Sequence, residues 1–137
     1  MNKILLVESE SIVRLVLSNI IQSELKASEV IPVRLFDNIM PALAKAEFRM
    51  LIISAPFLSS VDHAQLKFIR TSYPDLIVFL LIDQQSAFLF PHLYKDDVDG
   101  IVDKKCSWEE LKVSLNLVYN GTPYYNFDKG DMFSCLN

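Results

Sequence analysis

A chain of 137 residues, 51% hydrophobic and 22% charged, is long enough to bury one real core and too apolar to be disordered through its bulk. Its formal charge of −4, with no run of lysine or arginine, argues against nucleic-acid binding by this chain. No apolar run approaches the roughly 20 residues of a membrane span.

The opening MNKILLVESES has an apolar run too short for the core of a signal peptide. Cys106 and Cys135 lie far apart, in neither CxxC nor metal-ligand spacing, and read as free thiols. A cytoplasmic location is the expectation.

Short continuous apolar runs alternate with helix-spaced segments. KILLV at 3–7 is too short for a buried helix and reads as a strand covered on both faces. Ile12, Val13, Val16, Leu17, Ile20 and Ile21 then recur at three- and four-residue intervals, one apolar face of a helix reaching about Leu25. VIPVRLF at 30–36 is a second strand, and Pro32, having no N–H for the ladder, puts it at a sheet edge. Residues 38–47 read as a short helix with Pro41 in its first turn.

MLIIS at 50–54 is the third strand. A helix at 62–73 carries Leu66, Ile69 and Tyr73 on one side and stops at Pro74. LIVFLLI at 76–82, apolar throughout, is a central strand. A helix over 86–94 is disturbed by Pro91, and DGIVD at 99–103 is a fifth strand. SWEEL opens the last helix with a capping box of Ser107 and Glu110. Trp108, Leu111, Leu115 and Val118 form its inward stripe, and Asn120–Gly121 ends it.

Five strands alternating with five helices imply parallel strands joined by right-handed crossovers, a doubly wound α/β sandwich. Residues 1–121 form the expected domain. Residues 122–137, with Tyr124, Tyr125, Phe127 and Phe133, form a docked extension or the start of a linker. In such sheets the site lies beyond the carboxyl ends of the strands. Those ends deliver Glu8 to Glu10, Ser54, Leu81 to Asp83 and Asp103 to Lys105. With three glycines in the chain, a glycine-rich phosphate cradle is excluded.

KILLVESESIVR, DGIVDKKCSWEEL and NGTPYY carry a resemblance. The chain resembles the receiver domain of a bacterial two-component response regulator, most like those attached to LuxR/NarL-type helix-turn-helix domains. The resemblance runs from about Lys3 to Tyr125 and implies a flavodoxin-like sheet of order 2-1-3-4-5. It also implies a phosphoacceptor aspartate after the third strand, an acidic pair holding Mg²⁺ after the first, and a lysine after the fifth. A hydroxyl after the fourth strand and an aromatic in the fifth would relay the switch.

Carried onto this chain, most of these positions are altered. Ser54 stands at the acceptor position, the acidic pair is Glu8 and Ser9, the switch hydroxyl falls on Leu81 and the aromatic on Ile101. Lys104 alone matches. A serine hydroxyl with no base is a poor nucleophile, and one glutamate is a weak basis for Mg²⁺. The expectation is a non-enzymatic pseudo-receiver, without cofactor or metal, acting in signal transduction or transcriptional regulation.

With the acceptor carboxylate gone, Lys104 is expected to pair with Glu8, Glu10 or Asp83, and Ser54 to hydrogen-bond Lys104 or a loop amide. Asp62, beside His63, reads as a helix cap, and His92 as a surface residue. Phe88, Leu89, Phe90, Leu93 and Tyr94 are too many large apolar groups for one face of a short helix. With Val113 and Leu117 they form an expected partner surface, for a homodimer or another protein. A longer parent would add a helix-turn-helix output domain. Three alternatives stay open: unconventional phosphorylation on Ser54 or Asp62, a small-ligand-binding or enzymatic flavodoxin-like domain, and a free-standing partner-blocking module with no output domain.

Overall fold

The computed structural model describes residues 2–83 and 97–125. Six parallel strands form one sheet: β1 (Asn2–Glu8), β2 (Ser28–Val33), β3 (Met50–Ser54), β4 (Ile77–Ile82), β5 (Gly100–Asp103) and β6 (Tyr124–Tyr125). Their order is β2-β1-β3-β4-β5-β6, a doubly wound, flavodoxin-like arrangement. Among the described residues there are four α-helices: α1 (Ser11–Glu24), α2 (Ile39–Lys45), α3 (Ser60–Ser72) and α4 (Trp108–Tyr119).

The alternation of strand side chains splits the core into two layers. Leu5, Leu51, Ile53, Val78, Leu80 and Ile101 pack with Ile39 and Leu43 of α2 and Leu66 and Ile69 of α3. Ile4, Leu6, Ile52, Phe79, Leu81 and Val102 pack with Leu17 and Ile21 of α1 and Leu111, Leu115 and Val118 of α4. All five β3 residues are buried, so that strand reads as a continuous apolar run. Pro32 lies in β2, which pairs only with β1, as an edge proline must.

The helix ends follow local chemistry. Ser59 and Asp62 cap α3 reciprocally, Ser59 Oγ accepting from the Asp62 N–H at 3.1 Å and Asp62 Oδ2 from the Ser59 N–H at 3.0 Å. At α4, Ser107 Oγ accepts from the Glu110 N–H at 3.1 Å, and the Glu110 carboxylate accepts from the Tyr124 hydroxyl at 3.1 Å. The same helix closes with Gly121 at φ 96° and the N–H groups of Gly121 and Thr122 bonded to the carbonyls of Val118 and Leu117. That is a Schellman end, which a residue with a Cβ would strain.

The structure corrects several expectations. The sheet has six strands rather than five, because Tyr124 and Tyr125 pair with Gly100 and Ile101. Tyr124 and Tyr125, in the segment expected as a docked extension or the start of a linker, are thus docked on the sheet edge. The second strand begins and ends earlier than 30–36, and Phe36–Asn38 is a 3-10 turn. Of the five expected helices, the one at 86–94 lies outside the described residues.

Two inward stripes are also narrower than their spacing suggests. Ile12 is 76% exposed and Trp108 58% exposed, while Val16 is open to solvent as well. All three lie in the first half of their helices, toward the carboxyl edge of the sheet, where the helices reach beyond the core.

Candidate functional site

Strand register assembles the site. Glu8 stands opposite Ser54 between β1 and β3, and Ser54 opposite Leu81 between β3 and β4. By parity with Leu6, Ile52 and Phe79, these three face the α1–α4 side of the sheet. Lys104 arrives from the turn after β5, its N–H bonded to the Ile82 carbonyl at 2.8 Å.

Glu8 is wholly buried, at 0% exposure, and its carboxylate is saturated with donors. Oε1 accepts from Ser54 Oγ at 2.6 Å and lies 3.1 Å from Lys104 Nζ. Oε2 accepts from the Glu10 N–H at 3.0 Å. Burial by itself pushes the Glu8 carboxyl up, but the Glu10 N–H, the Ser54 hydroxyl and the Lys104 ammonium together outweigh it and hold the group below its ordinary value. Arg14 secures the loop, Nη1 donating to the carbonyls of Glu8 at 2.8 Å and Ser9 at 3.4 Å.

Of the three candidates for Lys104, Glu8 takes it. Ser54 hydrogen-bonds Glu8, as the donor, rather than accepting from Lys104 or a loop amide. A hydroxyl held on a carboxylate of lowered pKa is a structural donor, because so weak a base takes its proton reluctantly. Ser9 is exposed at the bend between β1 and α1. Asp62 is occupied in the α3 cap.

Leu81 is buried beside Ser54, but Ile101 is buried on the opposite face of the sheet, in the α2–α3 layer with Tyr125 packed against it. The two expected relay positions thus belong to different cores. Phe88, Phe90, Leu93, Tyr94 and His92 lie outside the described residues. Val113 and Leu117 are exposed on α4.

Mg²⁺ does not fit the residues present. The buried Glu8 carboxylate at this edge of the sheet has both oxygens engaged, and the Lys104 ammonium lies against it where a cation would bind. Among the described residues no group of three or more His, Cys, Asp or Glu side chains is placed to hold a metal.

Sequence reading missed a cleft of about 390 Å³ between α1 and α4, over Ser54 and Leu81. Ile12, Val13, Val16, Trp108, Cys106 and Leu111 wall it, with Lys104 at its edge. Burial, with Glu110 and Asp103 nearby, pushes the Cys106 thiol up to about 11. The only hint in the sequence was an excess of apolar residues at the starts of α1 and α4.

No family model matches the sequence, and no curated protein matches it significantly. Solved structures do match. A LuxR family DNA-binding response regulator from Silicibacter pomeroyi superposes with a TM-score of 0.73 at 14% identity, covering 92% of this chain and 97% of that one. The fold is that of a response-regulator receiver. The response regulator RcsB of Salmonella typhimurium gives 0.73 at 16% identity over 98% of this chain and 70% of its own. TrrA from Thermotoga maritima, in complex with Mg(2+)-BeF, gives 0.70 at 19% over 86% and 99%. These matches span 86–98% of this chain. Among the described residues no helix is long and apolar enough to cross a membrane.

Proposed function

We propose that this chain is a phosphorylation-independent receiver that acts in cytoplasmic signal transduction through protein association. The observation that carries the reading is the closed Glu8–Ser54–Lys104 network, in which a fixed internal ion pair occupies the place of a phosphoryl and metal site. Lys104, whose partner in the family is the switch carboxylate, here serves a permanent link. The chain has no catalytic role in this reading, and it needs no metal.

Association runs through the outward side of α4, where Val113 and Leu117 are exposed, together with the apolar stretch of residues 88–94. A homodimer is the simplest partner. In a longer parent, a helix-turn-helix output domain would be positioned by that association and would make the DNA contacts.

The test is incubation with acetyl phosphate, and separately beryllofluoride, each with Mg²⁺. The reading expects an unchanged intact mass, unchanged amide resonances and the same light-scattering mass with and without donor. A phosphoryl adduct on Ser54 or Asp62 would overturn it.

A further inference from the structure

The cleft over Ser54 is walled on two sides by helices and floored by the sheet. Its lining runs from residues almost absent from the surface, Leu17, Ser54, Leu81 and Leu111, to the largely exposed rim of Ile12 and Trp108. It is therefore deep as well as open at one end. Its volume of about 390 Å³ falls within the range of small-molecule sites, roughly 300–1,000 Å³. At about 30 Å³ per water, that is the room of roughly 13 water molecules, or one bicyclic ring system.

The wall chemistry is one-sided. Eight of the ten lining residues are apolar, aromatic or thiol-bearing, the remaining two being Ser54 and Lys104. Cys106 adds no charge near neutral pH, since its thiol stays protonated. Lys104 is thus the one ionic group in the lining. Its ammonium has three donors, of which the Glu8 bond uses one, and its side chain is 22% exposed.

The cleft also faces away from Val113 and Leu117, the described part of the proposed association surface. At about 100° per residue, Val113 and Leu117 stand roughly 140–180° round α4 from Trp108. Filling the one leaves the other uncovered.

We propose that the cleft is a binding site for a small planar aromatic carboxylate. Its rings lie between Val16 and Trp108, and its carboxylate meets Lys104 at the edge of the buried ion pair. A ligand there touches Ser54, Leu81 and Lys104, the residues a phosphoryl group would address in the family. It supplies an input that needs no group transfer. The site stands whether or not the chain can be phosphorylated, since its evidence is the cleft and not the altered acceptor.

Trp108 is the single tryptophan of the chain, so its fluorescence reports the cleft directly. The probe is 2-naphthoate, titrated into the full chain, with uncharged 2-naphthamide as its counterpart. Saturable quenching by naphthoate is expected, with at least tenfold weaker binding of the amide. Methyl resonance shifts should be confined to Ile12, Val13, Val16, Leu17, Leu81 and Leu111. Val16→Phe fills the cleft from a partly exposed position that tolerates the change, and should abolish saturation while leaving the melting temperature near wild type.

Non-saturable quenching, equal quenching in Val16→Phe, or an amide that binds as tightly as the acid would each overturn the proposal. So would a concentration-dependent dimer that Val16→Phe dissolves and naphthoate leaves intact, which would make the cleft a protein contact. The phosphoryl-donor test reads intact mass and does not depend on any of these outcomes.

Discussion

Replacing Lys104 by methionine removes the cation from a buried pair while keeping much of the side chain's length. Removing one partner of a buried ion pair costs roughly 3–5 kcal/mol, because the other charge is left without compensation. Glu8 keeps two of its donors, Ser54 Oγ and the Glu10 N–H, and Lys104 is not fully buried. The lower end, about 3 kcal/mol at pH 7, is therefore expected, or roughly 10 °C of melting temperature for a domain of this size.

The deficit should depend on pH in a definite direction. In the wild type the folded-state pKa of Glu8 is depressed, so its contribution is present above the unfolded value near 4.5 and is lost as pH falls through the folded value. Without Lys104 a group that lowers the Glu8 pKa is gone while burial still raises it, so the pKa should rise, and acidification to pH 4 should protonate more of the stranded carboxylate and relieve the variant. The gap between variant and wild type should shrink from pH 7 to pH 4. Glu8→Gln combined with Lys104→Met should recover part of the loss at pH 7, the coupling expected of contacting residues. Urea unfolding of the four proteins at both pH values measures all of this. A Lys104→Met variant within about 0.5 kcal/mol of wild type at pH 7, or a deficit equal at both pH values, would refute the pairing.

Other expectations concern the scaffold. A Cβ at Gly100 would lie 2.8 Å from both Phe79 Cδ2 and Val118 Cγ2, so Gly100→Ala should overpack the α1–α4 layer and cost about 1–3 kcal/mol in chemical unfolding. Ser59→Ala removes the oxygen that accepts the Asp62 N–H and should lower stability by about 1 kcal/mol in the same assay; no change would mean the cap is carried by Asp62 alone. In a Cys135→Ser background, a thiol pKa of about 11 leaves only about one thiolate in a thousand at pH 8. Alkylation of Cys106 by iodoacetamide should then be far slower than that of a free small thiol, and it should accelerate steadily up to about pH 10. Labelling at the free-thiol rate would contradict its burial.

How far the chain could be read depended on the reach of each signal. Apolar runs such as MLIIS and LIVFLLI, the caps at Ser107 and Asp62, Pro32 at an edge and Gly121 at a helix end are all local. Each was legible because strand burial, capping and backbone conformation are decided within a few residues. The alternation of those elements was enough to imply the parallel, doubly wound class, and Ser54 was legible as a serine at the end of the third strand. The short β6 was not, since two tyrosines carry no period and join the sheet only because β5 has an open edge.

Burial at the ends of helices was misread at Ile12, Val16 and Trp108. Spacing reports which side of a helix faces inward, and it does not report where the core stops along the axis. The largest decision left to tertiary structure was the state of the site. Ser54 and Glu8 are 46 residues apart and meet because β1 and β3 are neighbours in register, while Lys104 reaches them from the far side of β4. The residues alone determined that a serine, not a carboxylate, ends the third strand. Only the packed sheet decided that the groups left behind neutralise one another beneath an apolar cleft, because charge pairing and enclosed volume arise from elements distant in the chain.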